Sequence, residues 1–132
     1  MGFEELPHTA DVAMRIWAGD LPCLFVEAAR ALNVLAGVQL ADEPVQSQVL
    51  NIESEDSESL LVAFLTELIY LAEQENMAFD KFDLSIKNNH LHADLQGSSL
   101  VSITKNIKAV TFHNLQIQPR PCGLQVEIVF DV

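Results

Sequence analysis

The chain has 132 residues, 49% hydrophobic and 20% charged, which suits one globular domain whose core buries roughly two-thirds of the unfolded surface. Nineteen acidic residues against seven basic ones give a net charge of −12, which disfavours tight direct binding to RNA or DNA, since that binding depends on Lys and Arg displacing counterions from phosphates. No apolar run approaches the roughly 18 residues of a membrane span, and the N-terminal MGFEELPH has acids where a signal peptide carries basic residues. A cytoplasmic protein with no membrane partner is expected, with Cys23 and Cys122 as reduced thiols.

In chain order, the polar cluster His8-Thr9-Ala10-Asp11 precedes a period-two segment in which Val12, Met14 and Ile16 alternate with Ala13, Arg15 and Trp17. That is the pattern of a half-buried strand with its even positions inward. Asp11 shares parity with Arg15 and falls on the opposite face or at the strand's mouth. Asp20 then suits an N-cap, Pro22 is tolerated in a first helical turn, and Gly37 suits a stop. Between them Leu21, Leu24, Phe25, Ala28, Ala31, Leu32 and Leu35 follow helical spacing. Residues 38–44 read as a connecting loop, and 45–54 as a weakly alternating strand. Asp56 or Ser57 offers the next N-cap, and Leu60, Leu61, Phe64, Leu65, Leu68, Ile69 and Ala72 form the apolar face of a second helix.

Residues 78–96 read as a hairpin turning at Lys87-Asn-Asn-His90, and Gly97-Ser-Ser begins a less patterned stretch. Residues 107–113 and 115–118 suggest two short strands, Pro119–Gly123 a turn, and Leu124, Val126, Ile128 and Phe130 a last strand. Two helices inserted among six or seven strands predict an α+β fold, with both helices packed on a mostly antiparallel sheet in a single domain over residues 1–132.

The last strand ends in Asp131-Val132, so a side-chain carboxylate and an α-carboxylate adjoin if the chain stops there. Hard cations such as Ca²⁺ and Mg²⁺ favour oxygen donors of this kind, and Asp11 could add another, provided that the first and last strands of this pattern are neighbours. The plain alternative is that these acids are solvated. His8 could join the same site or bond a loop carbonyl. Lys108 and His113 have opposite parity and should not act on one face; Lys108 suits a surface cation, and His113 a metal ligand or a turn contact. His90 and His92 read as an ordinary exposed hairpin rather than a metal pair. GxSxG, Walker, GxGxxG, HExxH and CxxC motifs do not occur. Two classes stay open: a metal-carrying accessory protein that acts on a partner, and a small metal-dependent phosphate-ester hydrolase using clustered carboxylates and a histidine.

The ordered set HTADV, GDLPCLFVEAARAL, SESLLVAFLTELIYL, IKAVTFH and a terminal VFDV resembles the archease family across nearly the whole chain. The resemblance implies a non-catalytic, chaperone-like activator of the RtcB-type RNA ligase of tRNA splicing and RNA repair. Its role would be to promote the ligase's metal-dependent guanylylation and multiple turnover through a bound divalent cation (Ca, Mg or Mn). Carried over by position, it implies Asp11 and Asp131 as ligands, with the Val132 carboxylate assisting, and places His8, Lys108 and His113 at family motif positions. The sequence departs from the family pattern at Phe112, where tyrosine is common, and at Ala13, where glycine is frequent. No sequence feature sets an oligomeric state.

Overall fold

The computed structural model describes residues 1–6, 11–112 and 114–132. Among them are strands β1 (Gly2–Leu6) and β2 (Val12–Ala18), helix α1 (Leu21–Ala36), and strands β3 (Gln39–Leu40) and β4 (Gln46–Glu53). Helix α2 (Ser57–Gln74) follows, then β5 (Met77–Lys87), β6 (His90–Ser102), β7 (Ala109–Thr111), β8 (Gln118–Arg120) and β9 (Gly123–Asp131). The α+β class with two helices and antiparallel pairing is as expected. Among the described residues the strands number nine rather than six or seven, and they divide into two sheets rather than one.

In the first sheet β2 lies between β1 and β9, and β9 also pairs with β7 and β8. In the second, β6 is central and pairs with β4, β5 and the short β3. Every described ladder is antiparallel. Helix α1 packs on β1, β2, β9 and β5, and α2 on β4, β5, β6 and β7, so each helix touches both sheets. Stacked rings of Phe25 and Phe64, 5.8 Å apart between centroids, join the helices. Met14, Ile16, Val126, Ile128 and Phe130 from one sheet and Leu91, Ala93 and Leu95 from the other belong to a single buried cluster with them.

The helix boundaries follow the capping residues. The Asp20 carboxylate accepts from the Cys23 N–H at 2.9 Å, and Asp56 from the Ser59 N–H at 2.7 Å, each satisfying a donor that the first helical turn leaves unpaired. Gly37, at φ 65°, ends α1 with paired bonds from Gly37 N–H to the Val34 carbonyl and from Val38 N–H to the Asn33 carbonyl. The β5–β6 turn is formed by Asn88 and Asn89, at φ 52° and 58°, a conformation that asparagine tolerates and that matches the twist of a tight hairpin.

Several local expectations are corrected. Gly2–Leu6, to which the hydrophobic spacing assigns no element, form β1, an edge strand. The segment 38–44 is not all loop, since β3 pairs with the end of β6. The predicted hairpin over 78–96 is longer, because β6 continues through Gly97-Ser98-Ser99 to Ser102. In the predicted Pro119–Gly123 turn, Pro119 and Arg120 pair with β9, and the chain reverses at Pro121-Cys122.

Candidate functional site

Strands β2 and β9 are direct antiparallel neighbours, in register from Ala18 opposite Leu124 to Val12 opposite Phe130. One step beyond the last pair come Asp11, just before β2, and Asp131, the last residue of β9. Across β9, Ala109 of β7 stands opposite Asp131, and the Lys108 N–H donates to the Asp131 carbonyl at 2.8 Å. Asp11, Lys108, Asp131 and Val132 therefore share one end of the first sheet. These residues come from three places in the sequence, and the sheet order alone brings them together.

Parity decides which groups meet. Phe130 is fully buried, so Asp131, the next residue of β9, projects to the other face. Both aspartates are half-buried, Lys108 is exposed, and Val132 packs partly against the core.

The nearest described arginine on that face is engaged elsewhere. Arg15 holds Glu4 at 2.8 Å and Glu127 at 3.2 Å, and those two carboxylates, Glu127 foremost, raise the guanidinium above its ordinary range. It lies four residues from Asp11, roughly 13 Å along the strand. Of the other candidates, His8 and His113 lie outside the described residues. Among the described residues no three His, Cys, Asp or Glu side chains converge on one point. At this end the acidic side chains are two, Asp11 and Asp131.

The His90/His92 pair sits on the hairpin face of the second sheet. His92 Nδ1 lies 2.9 Å from Asn51 Oδ1 and its Nε2 3.4 Å from Asp94, while His90 Nδ1 lies 3.5 Å from Glu53. Both rings already have polar partners in the sheet. A feature that the sequence reading missed is an apolar hollow between the C-terminal halves of α1 and α2, lined by Leu32, Ala36, Leu68, Ala72, Phe79 and Ile107. Its wall at 103–107 is pinned where the Thr104 and Lys105 N–H groups donate to the Ala36 carbonyl. Nothing in the hydrophobic spacing could reveal it, because the same residues would read identically in a filled core.

The sequence pattern of the Archease protein family matches residues 3–132. "Protein archease" of Pyrococcus furiosus is 31% identical over 130 residues, covering 92% of this chain and 91% of its own. "Protein archease" of Methanopyrus kandleri is 30% identical over the full length of both chains, and the "Protein archease-like" of Dictyostelium discoideum is 28% identical over 98% of this chain. Among solved structures, the solution structure of Methanobacterium thermoautotrophicum protein 1598 superposes with a TM-score of 0.73 at 26% identity, covering 99% of each chain. With pattern, relatives and fold in agreement over nearly its whole length, this chain belongs to the archease family.

Proposed function

We propose that this protein is a non-catalytic activator of an RtcB-type RNA ligase in tRNA splicing and RNA repair. It would promote the ligase's metal-dependent guanylylation and its multiple turnover, with Asp11 and Asp131 holding a divalent cation. The observation that supports the reading is the β2–β9 register, which ends at Val12 opposite Phe130 and so leaves Asp11 and Asp131, distant in sequence, each one residue beyond that pair at the same sheet end. Neighbouring carboxylates are costly as a bare pair and favourable around a hard cation. Bound there, the cation would contribute Lewis-acid polarisation of phosphoryl oxygens.

The chain's own residues do the positioning. Asp131 is fixed through its backbone by the Lys108 N–H on one side and by the β9 ladder behind it. Asp11 directly precedes Val12, the first residue of β2. Two carboxylates are a partial donor set for a Ca²⁺ or Mg²⁺ ion, which takes about six or more oxygens. His8 is a family-matched candidate to add to it, as is an α-carboxylate at Val132 where the chain ends there, and the ligase's own groups can complete it. The net charge of −12 suits docking on a basic partner rather than on RNA.

Replacing Asp11 or Asp131 with Ala should leave the far-ultraviolet circular dichroism spectrum unchanged, weaken calcium binding in calorimetry, and reduce stimulation of ligase guanylylation at least about ten-fold, the loss expected when one charged ligand worth over 1.4 kcal/mol is removed. Stimulation equal to wild type in both variants would overturn the proposal. So would hydrolysis of phosphate esters by the isolated protein with Mg²⁺ or Mn²⁺, abolished by the same substitutions.

A further inference from the structure

In β6, Leu91 and Ala93 are fully buried, so His90 and His92, which alternate with them, project from the other face of the second sheet. The register sets their neighbours. His92 stands opposite Asn51 of β4, and His90 opposite Glu53. Two residues apart on one face, the histidines have backbones about 7 Å from each other, close enough for the rings to lean together. They do lean: His92 Nδ1 lies 2.9 Å and His90 Nε2 3.4 Å from one atom, Asn51 Oδ1. The outer ring nitrogens face carboxylates, with His92 Nε2 3.4 Å from Asp94 and His90 Nδ1 3.5 Å from Glu53.

Four ring nitrogens thus face oxygen, yet two neutral imidazoles carry only two N–H groups. The two contacts left over ask for positive charge, either a further proton on each ring or one ion shared by both. Convergence on one atom favours the shared ion, since two imidazoliums at this range repel. With their protons on the outer nitrogens, donated to Asp94 and Glu53, both rings aim a lone pair at the same point. Carboxylate, imidazole and metal follow one another in this order in most histidine-ligated centres, the carboxylate fixing the tautomer and the ring orientation. The Asn51 amide serves in two ways. Turned over, its two N–H groups donate to the same lone pairs; as placed, its Oδ1 is a third donor for an ion. Asp83, opposite Asp94 on β5, adds a third carboxylate to this face, against Lys87 opposite His90.

We propose that His90 and His92 form a metal site separate from the acidic sheet end, with Asn51 Oδ1 as third donor and water completing the shell. The ion it fits is a late first-row transition metal of the Zn²⁺, Ni²⁺ or Cu²⁺ kind. Imidazole nitrogen suits these ions, whereas an all-oxygen set such as Asp11 and Asp131 suits Ca²⁺ or Mg²⁺. The two sets lie on different sheets, so this site does not rest on the activator reading. Closing to the zinc–imidazole distance of about 2.0–2.1 Å requires each ring to move roughly 1 Å. With 43% and 45% of their side-chain surface in solvent, both rings have room for that movement and are open to an ion. Once bound, the ion ties β6 to β4 through Asn51.

The test titrates the full-length protein with Zn²⁺ alone in calorimetry and follows the imidazole nitrogen resonances. The tightest equivalent should shift His90 Nε2 and His92 Nδ1, with the other nitrogen of each ring staying protonated. His90→Ala and His92→Ala should each weaken binding at least about ten-fold with an unchanged circular dichroism spectrum. Asp94→Asn, which leaves both ligands in place, should weaken it about ten-fold through the lost carboxylate. Excess Ca²⁺ should not displace the zinc, and Asp11→Ala should bind zinc as wild type does. No binding up to about 1 mM zinc, affinity unchanged in both histidine variants, or displacement by Ca²⁺ overturns the proposal. So does a zinc-induced shift at His8 or His113 in place of His90 and His92, or a loss of affinity in Asp11→Ala, since either result puts the ion elsewhere.

Discussion

Gly97 lies in the middle of β6 with no room for a side chain. A Cβ there would overlap the Ala78 carbonyl oxygen and sit 2.6 Å from the Phe79 Cα, both backbone atoms of β5 beside the register shift between Phe79 and Lys81. Backbone cannot rotate aside as a side chain can, so Gly97→Ala should destabilise by about 1–3 kcal/mol, the usual cost of overpacking. Urea denaturation would show it as a lower midpoint at constant slope. A midpoint equal to wild type would mean that β5 moves freely at the bulge. The same residue explains why Gly97-Ser-Ser reads as a break from sequence alone. Glycine and serine favour turns, yet here glycine permits close strand approach, and Ser98, 2% exposed, donates its hydroxyl to the Ala41 carbonyl. A polar side chain satisfied by a residue 57 positions away leaves no local signal. Asp11 and Asp131 were more legible, as acids at the ends of alternating segments. Their adjacency depended on strand order, which periodicity does not encode.

Helices were the most legible elements because their stop signals are local. Asp20 and Asp56 cap the two N-termini, and the backbone N–H groups of Cys23 and Ser59 are the foremost causes holding these carboxylates below their ordinary range. A carboxyl whose folded-state value is depressed adds stability that is present above the unfolded value of about 3.9 and lost as pH falls through the lower folded value. Acid should therefore weaken both helix starts below about pH 4. Asn also caps helices but does not titrate, so Asp20→Asn with Asp56→Asn should keep most of the stability at neutral pH and flatten this part of the acid limb. Denaturant midpoints measured from pH 3 to 7 would detect the change, and an unaltered acid limb would assign it to other carboxylates. Strands were legible in proportion to their length. Hairpin β5–β6 announces itself through long alternation and an Asn-Asn turn, whereas β1, β3 and β8 are short, lie at sheet edges, and contain Gly2 with two glutamates, two residues in all, and Pro119 respectively. Pairing with a longer neighbour makes them strands, and that neighbour is remote in sequence.

The two sheets do not have separate cores. Phe64 from α2 stacks on Phe25 from α1, α1 covers β2 and β9 while also reaching β5, and α2 covers β4, β5 and β6 while also reaching β7. Loss of this contact removes apolar area from a cluster shared by both sheets, so its cost cannot be confined to one of them. Phe64→Ala should lower global stability by about 3–5 kcal/mol, the range for emptying a buried aromatic site. The division into two sheets was hidden from the sequence for the same reason: period two identifies a strand and its inward face, and the longer strands of both sheets turn that face to the same two helices. Native-state hydrogen exchange distinguishes shared from separate stability. In the wild-type protein the slowest amides of β2 and β9 should open with the same free energy as those of β6, and in Phe64→Ala all three should fall together. A fall confined to β6, with β2 and β9 unchanged, would show two independently stable halves, and the end of the first sheet that carries Asp11 and Asp131 would then not depend on the helix between them.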